Sequence, residues 1–299
     1  MVDFSISEDC KICGKKGVEF FSKSYKEKIF EEFFNLYYGQ SKNEILKNKL
    51  ENVNYVLLIC SSCKFIWQKF APIDEFSENL YENIIDKTES LKKSEKKFST
   101  SKNRNKKEID LIPIYFGEKV NILDFGAGWG HWLASSSENN IEKYAFEISS
   151  SREEYLKKKK LKVLDYNSIT RFKDYFHYIR VDQVLEHLDK IDDILIQLKI
   201  SAKSNCIFFI SVPNGTEIFK MKKALKIEKG PAQPLEHLNC FTRYSLIKLF
   251  RKHGFKKISF IEILHFNLKN FKFDILSLKL IINDIKNHFF STTIKFKIK

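Results

Sequence analysis

From residue 120 to residue 260 the chain alternates short apolar runs with polar, helix-like stretches. The first run, Asn121-Ile122-Leu123-Asp124-Phe125, ends in an acid and an aromatic and passes directly into a glycine-rich turn. Four more runs follow: Lys143-Tyr144-Ala145-Phe146-Glu147, Lys162-Val163-Leu164-Asp165, Tyr178-Ile179-Arg180-Val181-Asp182, and Cys206 to Val212, the last broken by Pro213-Asn214-Gly215. Runs of this length bounded by turn residues predict buried strands. Between them, His131 to about Asn139 reads as a helix, and another ends at His253 before Gly254-Phe255. Strands alternating with helices predict an α/β, doubly wound parallel sheet.

The turn after the first run carries Gly126, Gly128 and Gly130 at alternate positions. Glycine lets a backbone turn tightly and approach a ligand closely, and a helix start presents N–H groups to an anion. A dinucleotide fingerprint needs its third glycine where His131 stands, so the spacing argues against NAD. Asp124-x-Gly126-x-Gly128-x-Gly130 resembles motif I of class I S-adenosylmethionine-dependent methyltransferases. Glu147 lies about 20 residues past the first glycine, where doubly wound nucleotide folds place an acid for ribose hydroxyls. The stretch Val184-Leu185-Glu186-His187 resembles the "VLEH" signature after the fourth strand of these enzymes, although Phe176-His177 stands where relatives usually have Phe-Asp. Glu236-His237-x-x-x-Phe241-Thr242, a helix and Gly254-Phe255 complete the resemblance, which spans roughly residues 111–265 in the expected order. It implies a Rossmann-like methyltransferase sheet that binds S-adenosylmethionine through Asp124, Gly126, Gly128, Gly130, Glu147, Asp165 and Gln183.

Cysteine placement adds a second unit. Four of the six cysteines form two Cys-x-x-Cys pairs, Cys10/Cys13 and Cys60/Cys63. Two intervening residues let one turn aim both thiolates at a single tetrahedral ion, so the pairs point to structural zinc rather than to disulfides or redox chemistry. Gly14 follows the first pair as knuckle turns prefer, whereas Lys64 follows the second. The pairs are separated by about 46 residues rather than about 15–20, so a partly helical insertion from Phe20 to Leu50 is expected to loop out. Cys206 and Cys240 read as core. Pro72 through Tyr81 resembles an arm that follows the last cysteines in zinc-ribbon methyltransferases, which makes Tyr81 a candidate substrate contact.

The sequence thus divides into a zinc-binding unit at 1–85, a Lys/Ser/Asn-rich linker helix at 86–110, a methyltransferase domain at 111–262 and a helical C-terminal extension at 263–299. That extension carries Phe266, Leu268, Phe271, Phe273, Ile275, Leu276 and Leu278 among lysines. Packing on the fold or on another subunit and peripheral contact with an anionic membrane both remain open. No run of roughly 18 apolar residues spans a membrane, and no secretion signal is seen, so a cytoplasmic enzyme is expected. The net charge of +14 is lysine-rich alongside abundant Asn, Ile and Phe, a bias of AT-rich codons rather than of a phosphate-binding face, and nucleic acid is not the expected partner.

Methyl transfer from a sulfonium is an in-line displacement in which a protein mainly positions the reactants. A carbon or hydroxyl acceptor must also lose a proton, and His237, oriented by Glu236, is the expected general base. Related sugar C-methyltransferases use a Glu-His pair in this region, so the resemblance implies methylation of a nucleotide-linked sugar or glycan precursor at carbon or oxygen. Two alternatives are an RNA methyltransferase and a non-catalytic module retaining the fold. Against RNA, no Asn-Pro-Pro-Tyr-like motif closes the fourth strand and no cysteine stands in a Pro-Cys context. Against the module, the glycine turn and Glu147 are intact.

Overall fold

The computed structural model describes residues 3–220, 227, 230–269 and 274–299; Phe271 and Phe273 lie outside the described residues. Two compact units emerge. Unit 1 contains Met1–Lys87, Leu185–Ile191 and Val212–Leu249; unit 2 contains Thr88–Val184, Asp192–Ser211 and Phe250–Lys299. Within the span 111–262 expected for the catalytic domain, residues 185–191 and 212–249 fall in unit 1. The segments leaving two of its strands pack with the N-terminal residues instead, because Asn239–Cys240 hydrogen-bonds as a strand to Ile66–Gln68.

Unit 2 is built on a seven-stranded sheet. In chain order its strands are β6 (Val120–Phe125), β7 (Ile141–Phe146), β8 (Lys162–Leu164), β9 (Phe176–Asp182), β10 (Ala202–Ser211), β12 (Phe255–Lys257) and β13 (Thr293–Ile298). Across the sheet they run β12-β13-β10-β9-β6-β7-β8. The five central and outer strands from β10 to β8 are parallel, and β13 is antiparallel to both of its neighbours. Val120, Ile122 and Leu123 of β6 are fully buried, as expected for a strand covered on both faces. The winding reverses beside β6, with β7 and β8 on one side and β9 and β10 on the other. That reversal opens a crevice at the carboxyl ends of β6 and β9.

The predicted linker helix is longer than expected, running Lys87–Phe116. Its first half is lysine-rich and solvated, while Ile109, Leu111 and Ile112 join Val120, Ile122 and Trp132 in the core. Gly117, at φ +73°, stops it. The C-terminal stretch is not a purely helical extension. Helices Phe260–Leu268 and Ile275–Phe290 lead into β13, which fills the gap between β10 and β12. The alternation Ile294-Lys295-Phe296 has a strand's period of two, with Ile294 and Phe296 buried and Lys295 paired to Asp284 at 2.5 Å. Among the described residues, no helix is long and apolar enough to cross a membrane.

His177 shows how one departure from the family pattern is accommodated. Its Nδ1 accepts the backbone N–H of Asn121 at 3.0 Å and its Nε2 donates to Glu118 at 3.2 Å, linking the starts of β9 and β6. Burial lowers its pKa, so below about pH 6.5 the unfolded chain binds more protons than the folded one and stability falls with pH. His131 shifts in the same direction, also through burial. In urea titrations the unfolding midpoint should drop on acidification through this window. His177→Gln, which keeps an acceptor for Asn121, should flatten the drop; an unchanged slope would remove His177 as its source.

Unit 1 contains a four-stranded antiparallel sheet in the order β11 (Asn239–Cys240), β4 (Ile66–Gln68), β3 (Asn54–Ile59), β2 (Val18–Ser24), and a two-stranded ribbon of β1 (Phe4–Ile6) with β5 (Phe70–Pro72). The residues between the cysteine pairs do not loop out. They form β2 and the helices α1 (Lys28–Tyr38) and α2 (Gln40–Leu50), joined at Gly39. Phe30, Phe33, Phe34 and Tyr38 form one buried stripe of α1 at helical spacing. They pack with Leu46, Leu50, Tyr55, Leu57 and Phe76 into a core of the unit's own.

Candidate active site and metal centre

The glycine turn closes the carboxyl end of β6. Gly126, Gly128 and Gly130 all have positive φ, at +80°, +57° and +70°. Their surroundings separate two functions. A Cβ on Gly126 would come within 2.3 Å of Val184, and one on Gly130 within 2.4 Å of Leu156, so these two glycines permit close packing. A Cβ on Gly128 would meet nothing within 4 Å; this glycine faces open space into which a ligand can enter. The helix after the turn spans only His131–Ala134, shorter than the stretch to Asn139 that the pattern predicts, so the turn's own N–H groups contribute more than an extended helix dipole.

Glu147 stands at the end of β7 with 7% exposure. Its carboxylate accepts from Gly128 N at 2.8 Å and from Ser149 N at 3.0 Å, and Arg152 lies 3.9 Å away. A carboxylate has about four acceptor sites, so two backbone contacts leave capacity for hydroxyls. Asp124, 1% exposed, is held by Arg180 Nη1 at 3.0 Å; burial raises its pKa against the opposing pull of Arg180. Arg180 also pairs with Asp182. Asp124 was expected to serve the cofactor, but its Oδ1 is engaged by this arginine in the neighbouring strand. The cue for Arg180 was a lone cation in an apolar strand, two residues before an acid. Asp165 is exposed and caps the turn after β8, accepting from Ser168 N at 2.8 Å. Gln183 follows β9 in a left-handed conformation, φ +58°, with its N–H bonded to Ser211 O at 2.8 Å. A non-glycine residue rarely adopts that conformation outside functional or tightly constrained sites.

In unit 1 the four cysteine sulfurs converge. Cys10 Sγ lies 3.3 Å from Cys63 Sγ, and Cys13 Sγ lies 3.5 Å from Cys60 and 3.6 Å from Cys63. These separations are close to the edges of a tetrahedron whose metal–sulfur bonds are about 2.3 Å. All four cysteines are free thiols. The two knuckles share one backbone form: Gly14 N bonds to Cys10 O at 2.8 Å and Lys64 N to Cys60 O at 3.0 Å. Lys64 adopts φ +55°, taking the conformation that Gly14 adopts without strain. The donor set and spacing fit zinc.

A second cluster in the same unit gathers residues distant in sequence. His187 Nδ1 lies 2.9 Å from Tyr81 Oη and 2.8 Å from the Glu236 carbonyl. His237 Nδ1 contacts the Gly230 carbonyl at 2.5 Å, and the two imidazoles meet edge to face at 4.7 Å. A carbonyl only accepts, so each Nδ1 carries a proton, and in the neutral ring each Nε2 holds the lone pair. Glu236 does not orient His237 as the sequence suggested. Its carboxylate accepts from Tyr38 Oη at 2.5 Å and from Gln233. Burial, followed by the Glu236 charge, pushes the Tyr38 pKa well up, so Tyr38 remains a donor. Gln68 fixes the loop by donating to the carbonyls of Gln233 and His237 at 3.0 and 2.9 Å. Asn239 reaches the carbonyls of Leu185 and Leu188 at 3.0 and 2.6 Å.

A family model described as a methyltransferase domain matches residues 78–259, well over half of the chain. The chain belongs to the methyltransferase-domain family. It is an S-adenosylmethionine-dependent methyltransferase with a Rossmann-like sheet. Among solved structures, it is similar to a SAM-dependent methyltransferase from Archaeoglobus fulgidus at 17% identity, covering 67% of this chain and 92% of that one with a TM-score of 0.40. It is also similar to the 1,6-didemethyltoxoflavin-N1-methyltransferase of Burkholderia thailandensis, at 15% identity, 69% and 86% coverage and a TM-score of 0.42. A plantazolicin methyltransferase bound to S-adenosylhomocysteine matches at 11% identity, 74% and 92% coverage and a TM-score of 0.49. No sequence of a curated protein matches this methyltransferase.

Within this methyltransferase, the fold gathers the glycine turn and Glu147 at one crevice, and Tyr81, Glu236 and His237 around His187. Asp165 remains an exposed turn cap. Sequence reasoning missed the linking roles of Arg180, Tyr38, Gln68 and Gln233. Arg180, Tyr38 and Gln68 act through contacts to residues far along the chain or on a neighbouring strand, which no local motif records, and Gln233 joins them by bonding Glu236 three residues on while its carbonyl accepts from Gln68.

The glycine geometry yields a contrast. Gly128→Leu should weaken S-adenosylmethionine binding at least about tenfold, roughly 1.4 kcal/mol, and lower the melting temperature only through the strain of a left-handed leucine, since no atom stands in its way. Gly130→Leu should instead destabilise the fold through Leu156 and Leu161. Calorimetric titration and thermal melts of both variants check this. Unchanged cofactor affinity in Gly128→Leu would mean that the open space is not the cofactor's.

Proposed function

We propose that this methyltransferase acts in the cytoplasm on a small molecule, a nucleotide-linked sugar or glycan precursor, methylating carbon or oxygen. In this reading residues 1–85 are a zinc-binding unit held by Cys10, Cys13, Cys60 and Cys63, and Tyr81 contacts the acceptor. The single observation that carries it is the 2.5 Å contact of His237 Nδ1 with the Gly230 carbonyl, which needs a proton on Nδ1 and leaves Nε2 as the basic nitrogen of the neutral ring. Such a nitrogen suits an acceptor that must lose a proton; an amine with its own lone pair needs no such help.

S-adenosylmethionine, when bound, supplies an electrophilic methyl group on a sulfonium that departs as a neutral thioether. The chain's own residues do the rest. Glu147, beside the open face of Gly128, accepts the ribose hydroxyls. His237 Nε2 takes the proton released by the acceptor carbon or hydroxyl as the new bond to methyl forms. Gln68 and Gly230 hold the ring and its loop in place, so little reorganisation accompanies the proton transfer. Incubation with labelled S-adenosylmethionine and a panel of nucleotide sugars, followed by mass analysis, tests the reading. A labelled sugar supports it; label transferred only to amines, or only to RNA, overturns it.

A further inference from the structure

Glu186, His187 and His237 each offer one ligand atom, and the three atoms lie within 4.8 Å of one another. Glu186 is a carboxylate with 1% exposure, and its Oε1 is 4.0 Å from His187 Nε2. The two imidazoles are prepared alike. Each has its Nδ1 on a backbone carbonyl, Glu236 for His187, whose Nδ1 also meets Tyr81 Oη, and Gly230 for His237. Metal-binding histidines are oriented in this way: an outer hydrogen bond fixes the tautomer, turns the ring and makes the opposite nitrogen a better donor. The backbone beside these residues is pinned as well: Gln68 donates to His237 O and Gln233 O, and Asn239 donates to Leu185 O next to Glu186.

We propose that Glu186, His187 and His237 form a second metal site, distinct from the four cysteines, that takes a divalent transition ion such as zinc. Two imidazoles and one carboxylate suit zinc, cobalt or nickel, whereas magnesium and calcium prefer oxygen donors throughout. Metal–ligand bonds of about 2.0–2.1 Å require the donors to close up by roughly an ångström, and three protein ligands leave a fourth position for water or another oxygen. The site goes beyond the proton-acceptor reading and bears on it in one respect. The ion would take the His237 Nε2 lone pair, so the proton-acceptor role belongs to the metal-free chain and the metal site describes its metal-loaded state.

The test is equilibrium dialysis of the metal-stripped full chain against zinc, with the metal measured by mass spectrometry. The wild type should hold one ion more than either His187→Ala or Glu186→Gln. Cys10→Ser should lose the other ion and keep this one. With cobalt as probe, the Cys10→Ser chain should show a visible spectrum that His187→Ala removes. Circular dichroism establishes that the variants are folded, and Glu186→Gln, nearly isosteric, covers the case in which His187→Ala is not. Equal metal content in the wild type and folded Glu186→Gln overturns the site. So does a visible cobalt spectrum that survives both substitutions. Turnover is not read, so failure here leaves the proton-acceptor reading to its own test.

Discussion

Cys10→Ser is expected to reduce bound zinc and lower the melting temperature of the N-terminal unit sharply, while the seven-stranded sheet stays folded. Structural zinc in small modules contributes roughly 10–16 kcal/mol to folding, and removing one thiolate from four sacrifices much of that. The tertiary structure limits the damage. The sulfurs tie the loop after β1 to the turn between β3 and β4, whereas α1, α2 and β3 carry an apolar core around Phe30, Phe34, Leu46 and Tyr55. The expected pattern is therefore early exchange of the knuckle amides with the α1 amides still protected, measured by hydrogen exchange beside metal analysis. No zinc in wild-type protein purified without chelators would end the zinc reading. Simultaneous loss of protection in β6 and β9 would show that the sheet depends on the cysteines, contrary to expectation.

The second large effect is at His237. His237→Gln should leave S-adenosylmethionine affinity nearly unchanged and lower turnover by roughly 10²–10⁴-fold, the usual contribution of a positioned general base. Glutamine offers a hydrogen-bonding amide but no basic nitrogen, so loss of proton acceptance is separated from loss of packing. The deficit should shrink as pH rises, because hydroxide or an already ionised acceptor replaces the missing base. Glu236→Gln should cost far less, since that carboxylate serves Tyr38 and Gln233 rather than the imidazole. Rate profiles of both variants against pH test this. A His237→Gln enzyme with full turnover, or one that loses cofactor binding together with activity, would show that the histidine is structural.

Much of the catalytic unit was legible because its cues are local. The alternate glycines have the left-handed backbone their spacing implied. Glu147 reaches the turn because parallel pairing of β6 with β7 brings the two carboxyl ends together. The cysteine pairs converge because each Cys-x-x-Cys turn is closed by its own backbone hydrogen bond. The misread parts have another origin. The stretch from Phe20 to Leu50 read as an insertion because it lengthens the gap between the cysteine pairs, yet it supplies much of a core. β13 read as an extension because an edge of alternating lysines and apolar residues does not announce which strands will flank it.

The sequence by itself determined the class of enzyme, the glycine turn, the acid after β7 and the two cysteine knuckles. Each of these depends on backbone conformation or on spacings within one turn or one strand–helix–strand unit, where chain connectivity leaves few alternatives. Only the tertiary structure decided that Arg180 holds Asp124, that Glu236 belongs to Tyr38, and that His187 meets His237. Tyr38 and Glu236 are 198 positions apart, and at such a distance contact follows from how apolar faces pack. A carboxylate between a phenol and an amide, or an imidazole turned by a carbonyl, is chosen by that packing and leaves no periodic trace in the order of residues.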